Sequence, residues 1–222
     1  MRAAIFDMDG TLVDSMPYWR QHLRDLLAEN GVDYGPQMDR IVNSQGAFDL
    51  LMEAVKPNHP DISRSEVIAI YQGRMLEDYQ TRIQPKEKAL AYLSSLRKAN
   101  IPCCIATATP RYLFEDMLVR TGLAEWIDFS ITVPEIGKGK GQPDIFLYCA
   151  DRYGLPPQSC VVFEDTLKAL RTAAQAQFYT VGIADPAAVG DEEAIEATAD
   201  RYIHSFQALL DQPLDFGGKK NG

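Results

Sequence analysis

No apolar run in these 222 residues approaches the roughly 20 that span a bilayer. The amino terminus offers no secretory signal either, because Met1-Arg2 is followed by only Ala3-Ala4-Ile5-Phe6 before Asp7 interrupts. A soluble chain without a membrane partner is expected. Positive charge is also short: 22 Lys and Arg against 31 Asp and Glu leave a net charge of −9 and a pI near 4.8. Non-specific nucleic-acid binding depends on clustered cations, so that class is disfavoured. An anionic small ligand is not excluded, since a metal ion and one lysine can reverse the potential inside an acidic protein. Cysteine is sparse, with only Cys103, Cys104, Cys149 and Cys160, no C-x-x-C pair and no His at zinc-ligand spacing. Their apolar neighbours suggest buried reduced thiols, and with them a reducing, cytoplasmic compartment. No low-complexity segment occurs, and only the tail Gly217–Gly222 reads as disordered.

What is present is a set of short apolar runs. Ala3–Phe6 ends at Asp7, Cys103–Ala106 at Thr107, Val161–Phe163 at Glu164-Asp165, and Phe178–Val181 at Gly182. Runs this short, without polar alternation, suit strands buried on both faces of a parallel sheet. Helical spacing lies between them, over Lys86–Ala99, Arg111–Thr121, Pro143 to Gly154 and Thr166–Gln177. This alternation predicts an α/β fold with a doubly wound, mainly parallel, Rossmann-like sheet. Residues 16–84 differ, with helix candidates over Tyr18–Asn30 and Ser63–Gln80 and no convincing strand. The expected division is a core of 1–15 and 85–222 with a small helical cap of 16–84 inserted into it.

In open α/β sheets ligands sit outside the carboxyl ends of the strands. Asp7, Asp9, Thr107, Glu164 and Asp165 should therefore converge, and Lys140, in a Gly-rich loop before a helix, could join them. Carboxylate oxygens suit a hard cation such as Mg²⁺, while a hydroxyl and an ammonium suit phosphoryl oxygens. Alone, Asp-x-Asp-Gly reads equally well as a surface turn. Lys138 and Thr109 compete with Lys140 and Thr107, although the Lys-x-x-Pro-Asp spacing and the strand register favour the latter pair.

Phe6-Asp7-Met8-Asp9-Gly10-Thr11-Leu12-Val13-Asp14-Ser15 resembles the first motif of the haloacid dehalogenase-like hydrolases. Thr107 is similar to their second motif, Lys140 in Lys140-Gly141-Gln142-Pro143-Asp144 to their third, and Phe163-Glu164-Asp165-Thr166 to their acidic fourth. The order and spacing are family-like, and the chain looks like the capped subfamily that includes phosphoglycolate phosphatase and β-phosphoglucomutase. The resemblance implies Mg²⁺-dependent hydrolysis of a small phosphate monoester, with Asp7 as covalent nucleophile and Asp9 as acid/base. It further implies that Thr107, the Ala108 N–H and Lys140 bind phosphoryl oxygens. Asp7, the Asp9 backbone carbonyl, Glu164 (directly or through water) and Asp165 would hold the metal.

The likeness has departures. Lys86, Ala169 and Gln177 stand where relatives often have Gly. Trp19 replaces the cap His expected of a β-phosphoglucomutase, and no Arg lies in Gln45-Gly46-Ala47-Phe48. A mutase-like phosphotransferase is thereby disfavoured, and a slow-turnover regulatory phosphoacceptor is the non-metabolic alternative. Leaving-group contacts are expected from the cap, with Trp19 and Arg20 foremost and Tyr18, His22 and Gln45 behind them. The expected partner is a small phosphorylated metabolite, met by a monomer or weak homo-oligomer.

Overall fold

The computed structural model describes residues 2–35 and 37–215, apart from the side chains of Arg40, Asn43, Ser44 and Gln45. The expectation for the tail Gly217–Gly222 falls outside the described residues. In chain order the elements are β1 (Ala3–Phe6), α1 (Met16–Glu29), α2 (Met38–Gln45), α3 (Ala47–Val55), α4 (Arg64–Thr81) and α5 (Ala89–Lys98). There follow β2 (Cys103–Thr107), α6 (Arg111–Arg120), β3 (Phe129–Thr132), α7 (Val133–Ile136) and α8 (Asp144–Arg152). The chain ends with β4 (Cys160–Glu164), α9 (Leu167–Gln175), β5 (Tyr179–Ile183), α10 (Glu192–Thr198), β6 (Arg201–Ile203) and α11 (Gln207–Asp211).

Six parallel strands form one sheet in the order β3-β2-β1-β4-β5-β6, which is the doubly wound architecture expected. Because strand side chains alternate, β1 divides its residues between two cores. Ala4 and Phe6 join Val161, Phe163 and the apolar faces of α5, α6 and α11, while Ala3 and Ile5 join Val162 and the faces of α8 and α9. Phe6 stacks on Phe163 at 4.3 Å between centroids, locking β1 to β4 next to the residues that follow both strands. The chain winds outward from β1 to β3, then restarts at β4 on the other side. This reversal opens a crevice at the carboxyl ends of β1 and β4.

Helices α1, α3 and α4 enclose a third cluster that includes Leu23, Leu27, Leu51, Val55, Val67 and Tyr71. Helix α4 starts where Ser63 and Glu66 form a reciprocal capping box. Two chain segments join this helical insertion to the sheet and run side by side. The Asp14 N–H donates to the Gln84 carbonyl at 3.0 Å and the Lys86 N–H to the Leu12 carbonyl at 2.8 Å.

The structure corrects several sequence boundaries. The edge strands β3 and β6 were not anticipated. Phe129 and Ser130 are only half-buried, and β6 is three residues long and begins Arg-Tyr, so neither shows a buried apolar run. Helices α2 and α3 were likewise unread. Helix α5 begins at Ala89 and not Lys86, because Lys88 takes a left-handed conformation (φ +64°). Gln177 also adopts positive φ (+68°) where a glycine would be unstrained. All four cysteines are buried and unpaired, and burial pushes the Cys160 thiol up to about 11.

Candidate active site

Strand register explains why carboxylates so distant in sequence meet. Phe6 lies opposite Phe163, so Asp7 falls beside Glu164, and the Asp7 N–H donates to the Phe163 carbonyl at 2.9 Å. Asp165 follows at once. Asp7, Glu164 and Asp165 are all buried and offer oxygens within 4.8 Å of one another. Burial drives Asp7 up to about 8; Lys140 opposes the rise, and the charges of Glu164 and Asp9 add to it. Burial, with Asp7, Glu164 and Asp185 nearby, likewise holds Asp165 well above the usual carboxylate range. Three buried carboxylates that repel one another carry more negative charge than one ammonium offsets, and an all-oxygen set of this kind fits a hard divalent ion.

Lys140 supplies part of the compensation. Its Nζ donates to Asp7 Oδ1 and, at 2.6 Å, to Glu164 Oε1. Burial pulls the ammonium down, but Asp7 and Glu164 outweigh it and keep it charged. The competing Lys138 instead pairs with Asp144 at 2.6 Å. The second oxygen of Glu164 accepts from the Asp165 N–H, the Thr166 N–H and the Thr166 hydroxyl. Glu164 is thus an anchor for the loop and for Lys140 as well as a member of the acidic group.

Gly10 has φ +77°, and a Cβ there would collide with the Asp165 carboxylate. Only glycine lets the loop after β1 pass so close. Thr11 Oγ1 donates to Asp165 Oδ1 at 3.3 Å, so it contacts the fourth motif and not Asp9.

Asp9 lies apart from the acidic trio, held by three hydroxyls. Ser15 Oγ donates to Oδ1 at 2.5 Å, Thr109 Oγ1 donates to Oδ2 at 2.6 Å, and Tyr79 of α4 donates to Oδ1. Thr107 ends β2, fully buried, and its Oγ1 accepts the Thr109 N–H at 3.1 Å. Ala108 between them is exposed. Of the two threonines, Thr107 ends the strand and Thr109 contacts Asp9.

The candidates on α1 take different positions. Trp19 packs edge-on against Tyr71 and Tyr79, at centroid separations of 5.0 and 6.3 Å, and its Nε1 donates to the Tyr79 hydroxyl at 3.3 Å. Its polar contact is with the Asp9-binding tyrosine. Arg20 is buried, ion-pairs with Asp39 at 3.4 Å and donates to the Ala187 carbonyl at 2.9 Å. Tyr18 packs on the sheet-side core, and His22 bonds Asp78 at 2.6 Å. The Gln45 side chain lies outside the described residues. A cavity of about 800 Å³ adjoins Asp165, bounded by Met16 and Arg20 of α1, the start of α9 and the loop 187–191.

Two connections escaped the sequence reading. Tyr79 shares the apolar face of α4 with Tyr71 and Met75, so nothing local separates it from a core residue. Lys86 bridges Asp14 at 3.0 Å and Asp185 at 2.8 Å, tying the joint of the insertion to the loop after β5. Asp185 lies two residues beyond β5, and the strand-end rule would have found it had the strand not been read as stopping at Gly182.

Comparison with known proteins gives a consistent picture. A family model described as haloacid dehalogenase-like hydrolase matches residues 1–177. The chain is 26% identical over 218 residues to hexitol phosphatase B of Escherichia coli K12, covering 96% of each chain. It is 26% identical over 163 residues to a fructose-1-phosphate phosphatase of the same strain, covering 72% of this chain and 85% of the relative. In fold it resembles CbbY from Rhodobacter sphaeroides, solved in complex with phosphate, with a TM-score of 0.77 and 20% identity over 94% of this chain and 96% of that one.

Proposed function

From the premise that the chain belongs to the haloacid dehalogenase-like hydrolase family, we propose that it hydrolyses a small phosphorylated metabolite through an aspartyl-phosphate. The observation that carries this reading is the buried Asp7–Glu164–Asp165 group with Lys140 inserted into it. Relatives named as phosphatases of hexitol and fructose phosphates point to a sugar-phosphate-like ester.

An Asp7 oxygen attacks phosphorus, an acyl-phosphate bond forms and the bond to the leaving oxygen breaks. Asp9 gives that oxygen its proton. It then takes a proton from the water that attacks the aspartyl-phosphate, releasing inorganic phosphate and restoring Asp7. Lys140 offsets the charge of Asp7 as the phosphate dianion approaches, and Thr107 with the Ala108 N–H receives phosphoryl oxygens. Tyr79, Thr109 and Ser15 orient the Asp9 carboxylate, so Tyr79 is a positioning residue supplied by the insertion. Asp7, Asp165, the Asp9 carbonyl and Glu164 would hold Mg²⁺, which when bound supplies charge neutralisation for the phosphoryl group.

In this reading residues 16–84 form a cap over the catalytic edge, hinged where Asp14 meets Gln84 and Leu12 meets Lys86. Trp19 acts through Tyr79, and Arg20 borders the leaving-group side. Four buried unpaired thiols suit a reducing, cytoplasmic setting. The test is a phosphate-ester panel with Mg²⁺ and Asp7→Asn as control. Phosphate release by the native chain and none by the variant is expected. No turnover, or equal turnover by the variant, would remove the assignment.

A further inference from the structure

Helix α4 is divided between two cores. Its Val67 and Tyr71 pack in the cluster of α1 and α3, whereas Met75 and Tyr79 join the sheet-side core with Phe114 and Met117 of α6. The same join is made at the backbone. At the end of α4 the Arg82 and Ile83 N–H groups both donate to the Asp78 carbonyl, at 2.8 and 2.9 Å. The Ile83 bond reaches back five residues and passes over the Tyr79 carbonyl, one of the four that a helix end leaves unpaired. Arg120, the last residue of α6, fills that position from the core. Its Nη2 donates to the Tyr79 carbonyl at 3.1 Å and to the Ile83 carbonyl at 2.6 Å. A cation is also favoured at a helix carboxyl terminus. Tyr79 is thus held by its carbonyl and its ring, while its hydroxyl accepts from Trp19 Nε1 and donates to Asp9 Oδ1.

We propose that Arg120 is a positioning residue for proton transfer, fixing the Tyr79 backbone to the core and so keeping the Tyr79 hydroxyl on the Asp9 carboxylate. The inference rests on the phosphatase reading above and deepens it by naming what places the acid/base. The insertion does not supply this anchor by itself, because on α4 its own cluster ends at Tyr71, two turns before Tyr79. A tyrosine ring is rigid, so a shift of the Tyr79 backbone passes to its hydroxyl. Small shifts matter at a reacting centre, where a misplacement of about 1 Å costs up to about 10²-fold. Arg120 is exposed and, among the described residues, bonds neither Asp9 nor the acidic trio. Its effect on the chemistry therefore passes through Tyr79.

The experiment is a double-mutant cycle in steady-state kinetics with Mg²⁺, on the ester of the panel that the native chain turns over fastest. Arg120→Ala should lower kcat by about 3- to 10-fold with KM nearly unchanged, the size of one hydrogen bond. Arg120→Lys, which keeps a cation and donors at the same carbonyls, should recover most of that loss. In a Tyr79→Phe background Arg120→Ala should lower kcat by less than about 2-fold, because the hydroxyl that it places is gone. A general loss of folded protein would lower both backgrounds alike. An equal fall in both, no fall in the native chain, or a change confined to KM overturns the inference and leaves the phosphatase reading intact. Failure of the phosphatase reading appears differently, as no turnover of any ester. The crystal structure of Arg120→Ala then decides the placement. A Tyr79 hydroxyl displaced from Asp9 is expected, and one still hydrogen-bonded to it overturns the inference.

Discussion

The carboxyl edge of the sheet and the helical insertion contribute to the same site by different means. At the sheet edge, backbone pairing does the positioning. Asp7, Thr107 and Glu164 end or follow neighbouring parallel strands, so their convergence follows from the register of β1, β2 and β4. In the insertion, packing does it. Helices α1, α3 and α4 are organised around their own apolar cluster, and among the described residues α4 contacts Asp9 through the hydroxyl of Tyr79. An edge built from register places charged groups to within a bond length, whereas a packed bundle can vary its surface without disturbing them. The proposed mechanism uses the two accordingly, with bond-making residues on the former and the leaving group met by the latter.

Perturbing each region should yield effects of different size. Asp9→Asn, at the sheet edge, removes the proposed acid/base and should lower kcat by roughly 10²–10⁴-fold in steady-state assays. A loss no larger than that of Tyr79→Phe would erase the distinction between the regions. Lys140→Ala leaves Asp7 and Glu164 buried without their cation. By denaturant unfolding of the metal-free protein it should lose about 3–5 kcal/mol in addition to activity. An unchanged midpoint would mean that the lysine is dispensable to the edge.

Tyr79→Phe deletes one hydrogen bond to the Asp9 carboxylate and keeps the ring. The expected result is about a 10-fold fall in kcat with KM nearly unchanged, since the hydroxyl acts through Asp9 and not on substrate. A change confined to KM would instead place Tyr79 against the leaving group.

The smallest effect concerns metal and pH. In the metal-free protein Asp7 is raised to about 8 from an ordinary 3.8, and Asp165 is raised as well. Across that window the folded chain holds more protons than the unfolded one, so stability falls as pH rises. Mg²⁺ displaces those protons and should raise the melting temperature by a few degrees more near pH 8 than near pH 6. An equal gain at both values would mean that the acidic trio is not the binding group.

Much of the catalytic edge was legible because its residues lie where apolar runs stop. Asp7, Thr107, Glu164 and Asp165 could be read as strand ends before any register was known, and Gly10 as the turn that follows the first of them. The insertion was legible only as helical. Tyr79 could not be separated from Tyr71 and Met75, because an amphipathic period reports burial and not what a buried hydroxyl touches. Trp19 and Arg20 were expected to face the leaving group. Trp19 bonds Tyr79, and Arg20 joins α1 to the loop after β5 while bordering the cavity.

The sequence by itself determined the parallel-sheet class with its four central strands, the acidic edge and the family, since apolar runs, their polar ends and four ordered motifs are one-dimensional patterns. Tertiary structure alone decided that Thr109, Ser15 and Tyr79 grip Asp9, and that Lys86 joins Asp14 to Asp185. Each of these depends on the packing of side chains from separate elements, a distance that no spacing along the chain encodes.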